Sequence, residues 1–250
     1  IWVMPNLKGM LGREVQGTAS TPGVFSQLQS LSLVGCPTLT LPLPHMPSLK
    51  ELYISNCPNM VWASISNLTS LNSLKIEIIP ELSCFPEEML QNLSLLESLE
   101  IGYMNDLRAL PRSLACLTAL KELTIQNSPK LQSLPEEGLR GLASLQELYL
   151  VDCYNLVSLS MGTKALRSLT HLRIYGSDAI ALPEEVKYFP ALQKLELVKC
   201  PKLETLPSSI QMMTTLQSLT INWCDLLGRQ CKRGGEEWHK IKHIPGLKIW

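Results

Sequence analysis

The sequence predicts an α/β solenoid bent into a horseshoe. A parallel β-sheet lines its concave face, and short helical, 3-10 or irregular segments return along its convex face. Three observations carry this expectation. One skeleton, L-x-x-L-x-[L/I]-x-x-C followed by Pro-x-Leu and Leu-Pro, is written most fully from Leu192 to Pro207. It opens nine times, at Leu28, Leu49, Leu71, Leu96, Leu120, Leu145, Leu169, Leu192 and Leu216, at intervals of 21 to 25 residues. Within each copy the apolar spacing changes from two to three or four. A period of 20–29 residues with this pattern is the signature of a leucine-rich repeat, and nine in-phase copies do not arise from composition alone.

Each part of the repeat follows from local chemistry. The last two apolar residues of L-x-x-L-x-L stand two apart, so both point to one face of a strand. The residues between and beyond them point to the opposite, concave face. In the second half, pieces such as Leu110–Leu120 and Leu206–Leu216 space their apolar residues three or four apart, which suits a turn of helix or 3-10. The Pro of Leu-Pro starts that turn, where its missing N–H costs nothing. Acid pairs recur just after it, at Glu87-Glu88, Glu136-Glu137 and Glu184-Glu185, and are expected because acids favour the start of a helical turn.

The ends differ from the middle. Ile1–Leu7 matches Leu33–Leu39, so the chain is expected to open inside a repeat, as a fragment with further repeats upstream. The expected division is a truncated repeat and loop over 1–27, nine repeats over 28–227, and a C-terminal cap over 228–250. In the cap, Trp238, Ile241 and Ile244 are expected on one side of a short helix, and Leu247–Ile249 as a final half-strand. Charged residues among them suit a polar cover for the last apolar layer.

Bulk properties narrow the function. The chain is 45% hydrophobic but only 6% aromatic, so its core is aliphatic. Lys+Arg and Asp+Glu both number 22, a balance that gives no global basic field for phosphate neutralisation and argues against a nucleic-acid partner. No apolar run reaches the length of a membrane-spanning helix, and the first residues have no signal-peptide pattern.

Five of the eight cysteines, Cys36, Cys57, Cys153, Cys200 and Cys224, occupy the ninth position of the motif. They are expected as small buried thiols rather than a disulfide framework, which fits a reducing compartment. Cys84, Cys116 and Cys231 are scattered. Cys224, Cys231, His239 and His243 have a spacing that could hold zinc, but Cys224 is already accounted for by the repeat, and a capping segment with incidental histidines is the expectation. The triplets Asn67-Leu68-Thr69 and Asn92-Leu93-Ser94 match the glycosylation acceptor by a pattern too short to carry weight. No phosphate loop, nucleophile elbow or metal-binding acid motif occurs. No catalysis, metal or cofactor is expected.

Binding is expected on the concave columns. Between the two strand leucines stand Ser32, Tyr53, Lys75, Glu100, Thr124, Tyr149, Arg173, Glu196 and Thr220; two residues on are Val34, Ser55, Glu77, Gly102, Gln126, Val151, Tyr175, Val198 and Asn222. Their chemistry varies on a fixed frame. The densest group is Tyr149, Val151, His171, Arg173 and Tyr175, and Tyr and Arg are enriched in binding hot spots. Trp223 and Tyr103 are expected to flank the same concave surface. Candidate contact residues are therefore Tyr53, Lys75, Glu100, Tyr149, Val151, His171, Arg173, Tyr175, Glu196 and Trp223.

The phrases LKELYISNCPNM, LQSLPEEGLRGLASLQELYLVDC and LQKLELVKCPKLETLP resemble the C-terminal repeats of plant coiled-coil, nucleotide-binding, leucine-rich-repeat disease-resistance proteins. The ending CKRGGEEWHKIKHIPGLKI is the most specific part, matching at Cys231, Gly235, Glu236, Trp238, Ile241, His243, Ile244 and Pro245. The resemblance implies a cytoplasmic, non-catalytic sensor domain of an immune receptor. Its partners would be a pathogen effector or a guarded host protein, and the nucleotide-binding module of the same parent chain, with neither nucleic acid nor membrane involved. The alternative is the substrate-recognition repeats of an F-box ubiquitin-ligase receptor, which also carry Cys at the ninth position but continue differently. Extracellular receptor repeats would show an Asn-x-Leu-x-Gly-x-Ile-Pro pattern and paired capping cysteines.

Overall fold

The computed structural model describes residues 6–10, 25–156, 166–178, 182 and 184–250. Most of the expected truncated repeat and loop, residues 1–5 and 11–24, lies outside them, as do Pro183 and the side chain of Glu185. The rest forms the expected leucine-rich-repeat solenoid. Ten parallel strands make one sheet in strict chain order. They are β1 (Ser30–Val34), β2 (Glu51–Ser55), β3 (Ser73–Glu77), β4 (Ser98–Gly102), β5 (Glu122–Gln126), β6 (Glu147–Val151), β7 (His171–Tyr175), β8 (Lys194–Val198), β9 (Ser218–Asn222) and β10 (Gly246–Ile249).

Register repeats without a slip. Leu31, Leu52, Leu74, Leu99, Leu123, Leu148, Leu172, Leu195, Leu219 and Leu247 pair in turn from β1 to β10. A one-residue slip would move this apolar row to the outer face. The row, its neighbour two residues on, and the convex leucines form one continuous core; Leu123, Leu148, Leu172 and Leu195 have no exposed surface. Full burial of a Leu contributes about 1.5–3 kcal/mol.

Every repeat leaves its strand in the same way. The eighth motif residue takes a left-handed conformation in all nine repeats, with φ between 47° and 65°. These residues are Gly35, Asn56, Ile78, Tyr103, Asn127, Asp152, Gly176, Lys199 and Trp223. The backbone N–H groups of the first eight continue the ladder, as in Asn127 N to Val151 O at 2.8 Å and Lys199 N to Asn222 O at 2.9 Å. The chain can thus turn sharply without orphaning a backbone donor. Only small or short polar residues enter this region at low cost, so Ile78, Tyr103 and Trp223 are unusual occupants.

The ninth residue then points inward. Cys36, Cys57, Cys153, Cys200 and Cys224 are buried and free, as expected from the repeat position. Cys57 donates to Ser55 O at 3.4 Å, and Cys224 Sγ lies 3.4 Å from Asn222 O and 3.5 Å from Leu197 O. Ser128 and Ser177 fill the same place in two other repeats and are equally buried. A small side chain with a weak donor suits the site.

The convex turns are shorter than a regular helix. Among the described residues five are 3-10: Trp62–Asn67, Glu87–Leu90, Arg112–Cys116, Glu184–Tyr188 and Ser208–Met212. One is a single α-turn, α1 (Glu136–Arg140). Pro86, Pro111, Pro135 and Pro207 stand immediately before their turns in extended conformation. Glu87, Glu88, Glu136 and Glu137 stand in the first turn after their prolines, as expected, and two of the recurring acids also bridge repeats. Glu87 accepts from Ser113 N at 3.1 Å, and Glu184 accepts from Ser208 N at 2.7 Å and Ser209 N at 3.0 Å. Each thus caps the turn of the following repeat, not its own, because stacking places that turn's free N–H groups above the carboxylate.

After β9 the period gives way to α2 (Asp225–Gln230) and α3 (Trp238–Ile241), and then β10 pairs with β9. Ile241 and Ile244 are buried and Trp238 packs partly against the core, the side expected of them. Gly235 is required here: a Cβ would stand 2.1 Å from Gln230 O. Among the described residues no helix is long and apolar enough to cross a membrane.

Candidate recognition surface

The concave face carries two side-chain networks. In the first, Lys75 Nζ lies 3.0 Å from Glu77 and 2.9 Å from Glu100. The Tyr53 hydroxyl donates to Glu77 at 3.0 Å, and Lys75 stands 5.8 Å from the Tyr53 ring centre. Gln126 Nε2 donates to Glu100 at 2.7 Å and, at 3.3 Å, to Glu77 two strands away. That reach crosses Gly102, where a Cβ would come within 2.9 Å of the Gln126 side chain. Burial disfavours the Lys75 ammonium, but hydrogen bonds to Glu100 and Glu77 outweigh it and raise its pKa.

The second network joins β6, β7 and β8. The Tyr149 hydroxyl donates to Glu147 and lies 3.0 Å from His171 Nδ1, with the two rings edge-on at 5.0 Å. On its other side His171 Nε2 is 3.4 Å from Glu196 Oε2, at ion-pair distance without hydrogen-bond geometry. Glu196 also holds Lys194 at 2.7 Å and Arg173 at 3.7 Å. Arg173 and Lys199 flank the Tyr175 ring, 5.8 Å and 4.8 Å from its centre. Burial, then the Lys194 ammonium, lowers the His171 pKa against the pull of Glu196. Burial, then the bond to Glu147, raises that of Tyr149.

These positions show what each candidate can offer a partner. Tyr149, Val151, His171, Arg173 and Tyr175 stand together on β6 and β7, with Glu196 beside them on β8. Glu196 is largely enclosed, its side chain 15% exposed, and its geometry is that of an organiser for two cations, Lys194 and Arg173, and the His171 ring. Tyr53, Lys75 and Glu100 belong to the other network. Trp223 is 69% exposed, at the left-handed corner after β9. Tyr103 sits at the equivalent corner after β4, three strands from β7, because the eighth position leaves the sheet at its edge.

Sequence reasoning passed over Glu77, Gln126, Glu147, Lys194 and Lys199 as site residues. The third motif position holds Glu147 and Lys194 and shares the concave face by the same period of two, so that signal was present. Among the described residues no group of three His, Cys, Asp or Glu could hold a metal. Cys224 faces the core carbonyls, while His239 and His243 are exposed.

No family model matches the chain. Over 115 residues, 46% of its length, it is 36% identical to a putative disease resistance protein, RGA1, of Solanum bulbocastanum. Over 71 residues, 28% of its length, it is 42% identical to disease resistance protein RGA2 of the same plant, and over 63 residues, 24% of its length, 36% identical to a probable disease resistance protein, RF45, of Arabidopsis thaliana. The chain is a leucine-rich-repeat region related to plant disease resistance proteins. It spans 11%, 7% and 6% of the lengths of those three relatives.

Solved structures agree on the fold alone. The leucine-rich-repeat domain of the type III effector XopL superposes with TM-score 0.63 at 20% identity, over 88% of this chain and 75% of that one. TLR13 in its complex with ssRNA13 superposes with TM-score 0.54 at 17% identity, over 81% and 33%. The repeats of this chain thus present varied polar and aromatic side chains on a constant frame, an arrangement suited to protein recognition.

Proposed function

We propose that this region is the non-catalytic recognition domain of an intracellular plant immune receptor of the nucleotide-binding, leucine-rich-repeat kind. It senses a pathogen effector, directly or through a guarded host protein, and restrains the nucleotide-binding module of the parent chain. Residues 28–227 supply the recognition repeats and residues 228–250 close the last apolar layer. The observation that carries the reading is the Tyr149–His171–Glu196–Arg173 network, held on a leucine frame that tolerates variation only on its outer columns. The disease-resistance relatives support the same reading.

Sensing of this kind needs a difference in affinity between two states. A ligand that contacted the restrained and released receptor equally would shift nothing. The test is co-expression of the full-length receptor's nucleotide-binding module with this region, each tagged, alongside a panel of pathogen effectors. Co-precipitation that one effector weakens supports the proposal. Failure of the two parts to associate with or without any effector refutes the restraint.

A further inference from the structure

The concave face is electrically two-sided. From β2 to β6 its outer positions hold five carboxylates, Glu51, Glu77, Glu100, Glu122 and Glu147, against the single ammonium of Lys75. From β7 through the corner after β8 the balance reverses. Arg173, Lys194 and Lys199 face the one carboxylate of Glu196, which also serves His171. Asp152, at the corner after β6, accepts from Tyr154 at 2.9 Å, and among the described residues no carboxylate lies within ion-pair distance of Lys199. Arg173 is underused: its side chain is 43% exposed, its contact with Glu196 is single and long at 3.7 Å, and its buried Nε has no partner.

The two halves do not neutralise each other. Strands lie about 4.8 Å apart, so the centres of the two regions, near β4 and β8, stand roughly 19 Å apart. That is about twice the Debye length at physiological ionic strength. Each half therefore presents its own sign to a ligand.

We infer that the partner on this face is a protein segment of divided charge, which sets acidic residues over β7–β8 and basic residues over β2–β6. A carboxylate there would complete the fork of Arg173 and meet Lys199 beside the Tyr175 ring. A uniformly anionic strand would be repelled over β2–β6. The inference rests on the concave face being the recognition surface, but it makes its own claim about the ligand's chemistry.

The test is titration of the full 250-residue chain, isotopically labelled, with acetylated tetraglutamate and tetralysine at physiological ionic strength, followed by amide NMR. At about 13–14 Å extended, a tetrapeptide fits within one half. Tetraglutamate is expected to shift the amides of β7, β8 and Lys199, and tetralysine those of β2–β6. Lys199→Glu with Arg173→Gln should weaken tetraglutamate at least tenfold and leave tetralysine unchanged. Both peptides shifting the same strands, or neither shifting any, overturns the inference, as does an oligothymidylate strand that shifts the whole face. Effector-dependent release of the nucleotide-binding module alongside a failed titration would retain the recognition surface and discard only the charge division.

Discussion

Lys240 reaches back from α3 to Glu237, its Nζ 2.8 and 2.9 Å from the two carboxylate oxygens, in an ion pair largely withdrawn from solvent. The same pair grips the last convex turn. Leu206 N donates to Glu237 at 2.8 Å, and Lys240 donates to Leu206 O at 2.8 Å. A charged pair thus satisfies both backbone groups of one residue at the edge of the core.

Breaking half of that pair leaves a buried charge uncompensated. Glu237→Ala should cost about 3–5 kcal/mol. The double change Glu237→Leu with Lys240→Met should cost less, because no charge is left stranded, although Leu206 loses its partners. Urea denaturation of the three proteins checks the order, and a double mutant less stable than Glu237→Ala would contradict it.

Glu184 ties adjacent repeats through a carboxylate whose pKa falls to about 2. Partial desolvation opposes ionisation, but the bonds from Ser209 and Ser208 outweigh it. Because the folded pKa lies below the unfolded one, the stabilisation is complete above about pH 4.5 and is lost as pH falls towards 2. The group is solvent-exposed, so the effect is discounted to less than about 1 kcal/mol. Stability measured from pH 7 to pH 2 should fall less steeply in Glu184→Gln than in the parent, and identical acid limbs would refute the capping role.

Ile78 is a β-branched residue held at φ 56° and half exposed. The equivalent corners at Asn56 and Asn127 hold a residue that accepts this conformation. Ile78→Asn should therefore stabilise the chain by about 1 kcal/mol, read as a rise of roughly 2–4 °C in Tm. A fall in Tm would show that Ile78 makes a contact that outweighs its strain.

Much of this architecture could be read from residue order. The strand register, the ninth-position thiols and the buried side of the cap follow from spacing alone, because one apolar row must face one core. The corner conformation at position eight was not evident, since Gly, Asn, Asp, Lys, Ile, Tyr and Trp share no chemistry that announces it. Nor were the links between repeats. Glu184 to Ser208 and Gln126 to Glu77 join residues 24 and 49 positions apart, and only stacking brings them together. The dense group around Tyr149 and Arg173 was visible; the sharing of Glu196 among Lys194, Arg173 and His171 needed the register.

Gly102 is the opening through which Gln126 joins the first network. Gly102→Ala should push the Gln126 side chain aside, since the obstacle is a flexible chain end and not backbone. Stability should change by less than about 1 kcal/mol, while the side-chain amide resonance of Gln126 shifts and loses its exchange protection. An unchanged Gln126 resonance would mean that the bond to Glu77 does not depend on the gap.

The central claim is that the frame folds the chain while the concave side chains do the recognising. The most direct measurement pairs two readouts on one set of substitutions: Tm of the 250-residue chain, and the response of the full-length receptor in leaves to the effector that triggers it. Tyr149→Ala with Arg173→Ala should abolish the response with Tm nearly unchanged, and the convex change Met212→Ala should alter neither. Leu195→Ala should cost about 2–5 kcal/mol of stability. A full response from the Tyr149 and Arg173 double mutant, together with its loss in Met212→Ala, would place recognition on the convex side and contradict the account.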